Sequence, residues 1–332
     1  MRLNSLDHLR GFGIILVIVF SLWQFMYFQV PEFGLLVHNQ QGEFNFGDLV
    51  FPLFLFCTGV SVWFYYNRHR ARGGKIEQAE KKFLSLLIVA LVISSFHLFG
   101  TFPDEVTLIA LCDILLFNLL WHRVSRRFLL AYSIAFPLLL FAFKEFLPQF
   151  WAPFSGMYLG GIFAIPYYLI IAIFGSIMAQ DAFPNAAFDR KKSFSALEKW
   201  IIILLSASLA SSLLFPVDKI GFSPSFLPAA LLFSAALFWL FLHLFEVRRL
   251  QIDFLRLIGK RSLWGWALLF FFSGAIFVLG TRGSYDPAIY LPLCALLLIL
   301  LYAALWAREK IVTSSFWKAF SRLSPSSWGP GQ

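Results

Sequence analysis

Charge is scarce in this chain: only 14% of its 332 residues are Asp, Glu, Lys or Arg, where a soluble domain carries about a quarter. So few polar groups cannot cover a water-facing surface, which excludes an ordinary soluble domain and leaves lipid as the solvent. Cysteine is scarcer still. Cys57, Cys112 and Cys294 all fall in apolar runs with no CxxC spacing, which argues against a disulfide framework or a thiolate metal site. They are expected to be inert buried thiols, and no metal is expected. The opening MRLNSLDHLRGF carries Asp7 and Arg10 and leads into a long span without a small-residue cleavage site, so no removable signal peptide is expected. No linker, low-complexity stretch or inserted soluble region interrupts residues 1–332, which read as a single membrane domain.

What is abundant agrees. Hydrophobic residues make up 59% of the chain, Phe alone contributes 42, and the mean hydropathy is +0.75. A membrane span needs about 20 apolar residues. On that rule the fold class is an all-α polytopic integral membrane protein of about ten transmembrane helices, at roughly 11–29, 47–66, 83–102, 106–121, 128–146, 159–179, 198–216, 225–246, 262–280 and 287–306. A net charge of +9 would point a soluble protein towards nucleic acid. Here it reports orientation instead, and no nucleic-acid partner is expected. Of the 27 Lys and Arg, all but Lys144, Lys219 and Arg282 fall in the termini and the even-numbered loops. Basic residues mark the cytoplasmic side, so both termini are expected inside. The clusters at 68–82 and 248–261 then face the cytosol, for contact with anionic lipid or to receive a phosphorylated donor. Short loops and the lack of a luminal domain favour a bacterial inner membrane.

The stretch HNQQGEFNFGDLVFPLFLFCTGVS, from His38 to Ser61, starts polar and ends as an apolar helix. Pro52 is expected in the first turn of that helix, where its missing N–H costs nothing. The loop before it, with Glu32, His38 and Glu43, faces outward and has no basic residue. A neutral imidazole can take a proton near neutral pH, and a carboxylate such as Asp48 can orient it; a solvated loop histidine is the simpler alternative. Ionisable groups inside the spans are costly and mark candidate sites. His243 lies near the inner end of the eighth span and is read as structural. His97 and Asp113 lie at depths of roughly 7 and 10 Å on helices joined by a tight turn, so they can meet. Such a pair either ties the hairpin together or belongs to the site of His38 and Asp48.

The pattern Ser5-Leu6-Asp7-x-x-Arg10-Gly11, then His38, then Asp48-Leu-Val-Phe-Pro52-x-Phe54-x-Phe56-x-x-Gly59-Val-Ser61 resembles the heparan-α-glucosaminide N-acetyltransferase family of transmembrane acyltransferases. Weaker echoes follow at Ile109–Cys112, Phe222–Phe226 and Ile258–Leu263. The resemblance implies acetyl-CoA as a co-substrate reaching the protein from the cytosol. It also implies an amino sugar or other glycan acceptor outside, and an acyl group crossing through the bundle. His38 is then the active-site residue, acting as base or acyl carrier, with Asp48 as its orienter. Asp7, Arg10, Lys260 and Arg261 are the candidates to hold the donor. His97, Asp113, Ser21 and Glu43 are lesser candidates. Several family positions differ: a Trp and a Gly read Gln41 and Glu43, an Asn reads Ser21, an Arg and a Tyr read Leu108 and Asp113, and a later Asn reads Arg261. Beyond the glycan and the lipid bilayer, a homodimer is an open assembly. A transporter or flippase for a small envelope metabolite, and a scaffold that has lost its chemistry, remain open beside the enzyme.

Overall fold

The computed structural model describes residues 3–26, 47–95, 105–155, 163–219, 222–269 and 287–313. They form α1 (Asn4–Met26), α2 (Gly47–Ala71), α3 (Ile76–Ser95), α4 (Glu105–Trp121), α5 (Arg126–Phe146), α6 (Pro148–Ser155), α7 (Ala164–Ala182), α8 (Arg190–Ser212), α9 (Phe226–Leu242), α10 (Asp253–Lys260) and α11 (Pro287–Thr313), and residues 262–269 are also helical. No strand occurs among the described residues. Six of these helical segments are long and apolar enough to cross a membrane, and the chain is a polytopic helical membrane protein. Each of the ten ranges expected from sequence overlaps a helix.

α2 and α7 form the centre. They are apolar on nearly every side and buried along most of their length, as a helix with no water- or lipid-facing stripe must be. Their crossing depends on glycine. A Cβ on Gly59 would run into the carbonyl oxygen of Ala172, and one on Gly175 into that of Phe56, so the two backbones meet as small-residue membrane interfaces do. A second such crossing joins α1 to α10, where a Cβ on Gly11 would strike the Leu255 carbonyl and one on Gly259 the Asp7 carbonyl. Around this centre α3, α5, α8 and α11 turn Leu, Ile, Val and Phe side chains outward, including Ile88, Phe128, Leu139, Ile202 and Ile299. Such faces suit lipid and would be costly in water.

The end of α7 meets the starts of α5 and α8 on one face. Arg126 grips Asp181 with two bonds of 2.6 and 2.7 Å, Trp200 Nε1 donates to the same carboxylate at 2.9 Å, and Ser193 Oγ donates to the Ala182 carbonyl at 2.6 Å. The end of α2 joins them through Trp63 Nε1, which donates to the Phe183 carbonyl at 3.4 Å. Most described Lys and Arg lie at this end, here termed the basic face.

Helix limits differ from the sequence reading where a cap or an amphipathic turn intervenes. α8 starts at Arg190, well before residue 198, because the Asp189 carboxylate caps it by accepting from Lys192 N at 3.0 Å and charged side chains tolerate the first, non-membrane turns. Pro52 lies in the second turn of α2, not the first; it supplies no N–H to the carbonyl of Asp48 four residues back. The short helices α6 and α10 were not expected at all, being far below spanning length.

α1 begins by docking on the α9–α10 connection. Ser5 N donates to Glu246 Oε1 at 2.9 Å, and the buried His8 ring stacks on Phe245 with centroids 3.8 Å apart. His8 Nδ1 lies 2.7 Å from the Asn4 carbonyl while Nε2 accepts from Ile252 N at 3.4 Å, a pairing that only the neutral ring satisfies. Burial holds the His8 pKa below its ordinary value, and Arg256 adds to this against the opposing pull of the Asn4 carbonyl, Asp7 and Glu246. Below about pH 6.5 the unfolded chain therefore binds a proton more readily than the folded one, so stability is lost as pH falls through that value. The thermal midpoint of the wild type is expected to drop more steeply between pH 7 and pH 5 than that of His8→Gln, measured in the same detergent.

Candidate functional site

Two polar stations lie along α2, one at its start and one past its middle. The first is built on Asp48, second residue of the helix and buried. Its carboxylate pairs with the ammonium of Lys219, also buried, at 3.6 Å. Lys219 comes from the connection between α8 and α9, which folds over this end through its serines. Ser225 Oγ donates to the Pro216 carbonyl at 2.7 Å, Ser223 Oγ bonds the same carbonyl, and the two hydroxyls lie 2.7 Å apart. Tyr167 of α7 fixes the connection to the bundle by donating to the Ser223 carbonyl at 2.8 Å. The neighbouring Tyr168 turns its phenol into electrostatic reach of Asp48, Glu105 and Asp218. Three carboxylates, one ammonium and two phenols thus gather at a single helix mouth.

The second station lies thirteen residues further along α2, about 20 Å at 1.5 Å per residue. Arg10 Nη2 donates to Ser61 Oγ, and Ser61 Oγ in turn donates to the Cys57 carbonyl at 2.6 Å. Arg10 and Lys82 both act electrostatically on the Asp113 carboxylate, and the Lys82 ammonium sits 4.0 Å from the centre of the Tyr65 ring. α1, α2, α3 and α4 each supply a member. This station lies towards the basic face, where two cavities open. One, of 320 Å³, is lined in part by Trp63, Tyr66, Arg123, Arg126 and Gln180. The other, of 510 Å³, is lined by Arg190, Lys191, Phe194, Ser195, Glu198 and His243. Aromatic walls beside cations suit a flat ring carrying phosphates.

The residues expected from sequence fall as follows. Asp48 sits at the first station. Asp113 belongs with Arg10 and Lys82; its suggested partner His97 lies outside the described residues, as do His38, Glu43 and the side chain of Ser21. Arg10 reaches across to Ser61 on α2. Asp7 is buried, and its carbonyl abuts Gly259, the residue before Lys260 and Arg261 in the chain. Cys57, Cys112 and Cys294 are buried and form no disulfide among the described residues. His243 stacks on Trp239 and accepts from Arg248 Nε at 3.4 Å. Among the described residues no group of His, Cys, Asp and Glu is arranged to hold a metal ion. Lys219, Tyr168 and Glu105 were not singled out from sequence. Lys219 alone carried a signal, as one of three basic residues on the side otherwise without them.

A helical bundle with a buried carboxylate–ammonium pair at the start of its central helix and an arginine contact further along it defines a class: polytopic membrane proteins with ionisable groups buried between their helices. The family model of the heparan-alpha-glucosaminide N-acetyltransferase catalytic domain matches residues 2–215, more than half of the chain. The chain belongs to this family of membrane acetyltransferases. Lys219 and the serines that hold its loop lie beyond the matched residues. No curated protein matches the chain.

Proposed function

We propose that the protein moves an acetyl group from acetyl-CoA on the cytosolic side to an amino or hydroxyl group of an extracytoplasmic glycan. The observation that carries this reading is the pair of stations on α2, about 20 Å apart, with the cation-lined cavities beside one and the buried Asp48 at the other. On this reading the basic face is cytosolic, the chain is a single domain of ten spans with both termini inside, and the membrane is the bacterial inner membrane. Arg10, Asp7, Lys260 and Arg261, with the cations of the nearby cavities, hold the phosphates and pantetheine arm of the donor. His38 takes the acceptor's proton or carries the acyl group itself, and Asp48, ten residues on, orients the imidazole and stabilises its charged form. Lys219 pairs with Asp48 and holds the carboxylate in place for that task. Asp113, His97, Ser21 and Glu43 line the route or tune the site.

Purified protein given labelled acetyl-CoA is expected to become labelled or to pass label to an amino sugar, and His38→Ala to do neither. Equal labelling of the two would remove His38 from the mechanism. Failure of the wild type to bind CoA would favour transport or scaffolding.

A further inference from the structure

Tyr168 presents a contradiction in its surroundings. Its side chain is fully buried, and among the described residues its hydroxyl has no hydrogen-bond partner. A buried hydroxyl left unpaired is destabilising, and Phe would fill the same space without that cost. The ring cannot turn away to find a partner: Phe51 lies edge-on at 4.9 Å, Tyr167 at 5.2 Å and Phe222 at 6.1 Å. The contrast with Tyr167 is direct, since that hydroxyl is satisfied by the Ser223 carbonyl. An unsatisfied polar group fixed in place in a native fold calls for a reason.

Its position supplies one. Tyr168 is the fifth residue of α7, and its hydroxyl feels the carboxylates of Asp48, Glu105 and Asp218. It therefore shares the helix mouth where Lys219 meets Asp48. Lys219 is paired there and Tyr167 is occupied, so Tyr168 offers a preorganised donor at that station which no described residue uses. A phenol keeps its proton at neutral pH and donates well.

We propose that the Tyr168 hydroxyl is a catalytic hydrogen-bond donor to the carbonyl oxygen of the acyl group being transferred, an inference that rests on the acyl-transfer reading above. As the acceptor's nitrogen or oxygen bonds to the acyl carbon, the carbonyl π pair moves onto oxygen, and Tyr168 donates to the resulting oxyanion. When the carbonyl re-forms, the bond from the acyl carbon to its leaving group breaks, and the leaving group departs with the electron pair. The acceptor's proton passes to the base of the reaction, so Tyr168 ends as it began, with its own proton. A donor aimed at developing charge in a water-excluded site stabilises the transition state more than the ground state.

Tyr168→Phe separates this role from a packing role, because loss of an unused hydroxyl should not weaken the fold. With labelled acetyl-CoA and glucosamine as the probe acceptor, the variant is expected to lose about 100-fold in kcat. KM should stay within about threefold of wild type, and the thermal midpoint should be unchanged or higher. A kcat within threefold of wild type overturns the inference, because the hydroxyl is then idle in the reaction. A midpoint that falls together with activity also overturns it, by showing a structural role. A wild type that consumes no acetyl-CoA with glucosamine or with a hydroxyl sugar overturns the acyl-transfer reading and this inference with it. An active wild type beside an equally active Tyr168→Phe defeats this inference alone.

Discussion

Lys219→Met is expected to destabilise the protein by about 3 kcal/mol and to abolish transfer. Both partners of the Asp48–Lys219 pair are buried, and removing one member of such a pair leaves the other as an uncompensated charge, at a cost of about 3–5 kcal/mol. The lower end applies because Asp48 stands in the first turn of α2, where unpaired backbone N–H groups and the helix dipole also favour a carboxylate. The pair itself is not a source of net stability. Replacing both members, as Asp48→Asn with Lys219→Met, should therefore recover much of the lost midpoint, and a double-mutant cycle should show coupling of at least about 1 kcal/mol. Transfer should stay lost in the double variant, because it lacks the carboxylate that the proposed mechanism uses to orient His38. Thermal unfolding in detergent and acetyl transfer, measured on all four proteins, separate the two consequences.

Gly259→Val and Gly59→Val are expected to yield little folded protein. At both crossings the atom that a new Cβ meets is a backbone carbonyl oxygen of a neighbouring helix: Asp7 for Gly259 and Ala172 for Gly59. A side chain in the way can change rotamer, but a carbonyl held in a helix cannot, so one helix must move as a body. The cost is expected at or above the upper end of the roughly 1–3 kcal/mol typical of core overpacking. Gly265→Ala is the control, because its nearest neighbour is the side chain of Ile14 at 3.6 Å, ordinary contact distance. It should unfold within about 1 °C of wild type, since a change of a few tenths of a kcal/mol moves the midpoint of a large domain very little. The recovery of monodisperse protein after purification distinguishes the variants before any melting curve is recorded.

Those two sites illustrate what the sequence could disclose. The apolar runs and the one-sided distribution of Lys and Arg mark the helices, because bilayer thickness and insertion energetics act on composition alone. The start of α2 at Gly47 agrees with the reading of residues 47–66, since Asp48 and Pro52 are local signals. Long-range pairing leaves no such trace. Ser5 and Glu246 are 241 positions apart, and nothing near Asp48 points to Lys219, which is carried by a loop whose shape depends on Ser223, Ser225 and Pro216. Asp113 is placed by depth beside His97 near the turn of the α3–α4 hairpin; Arg10 and Lys82 also act on it, and His97 lies outside the described residues. Depth along one helix does not say which neighbour the side chain faces. Tyr168 was invisible for a different reason. In an apolar run a tyrosine reads as core, and only the absence of a partner for its hydroxyl among the described residues sets it apart from Tyr167.

If an acetyl group taken up at the basic face is delivered at the Asp48 end, transfer must cross the membrane. Protein reconstituted in one orientation into sealed liposomes shows whether it does, with labelled acetyl-CoA supplied on one side and glucosamine trapped on the other. Labelled N-acetylglucosamine is expected only when acetyl-CoA is on the basic face and the amine on the opposite side, and none with His38→Ala. Labelling of glucosamine placed on the same side as acetyl-CoA, with none across the membrane, would contradict it.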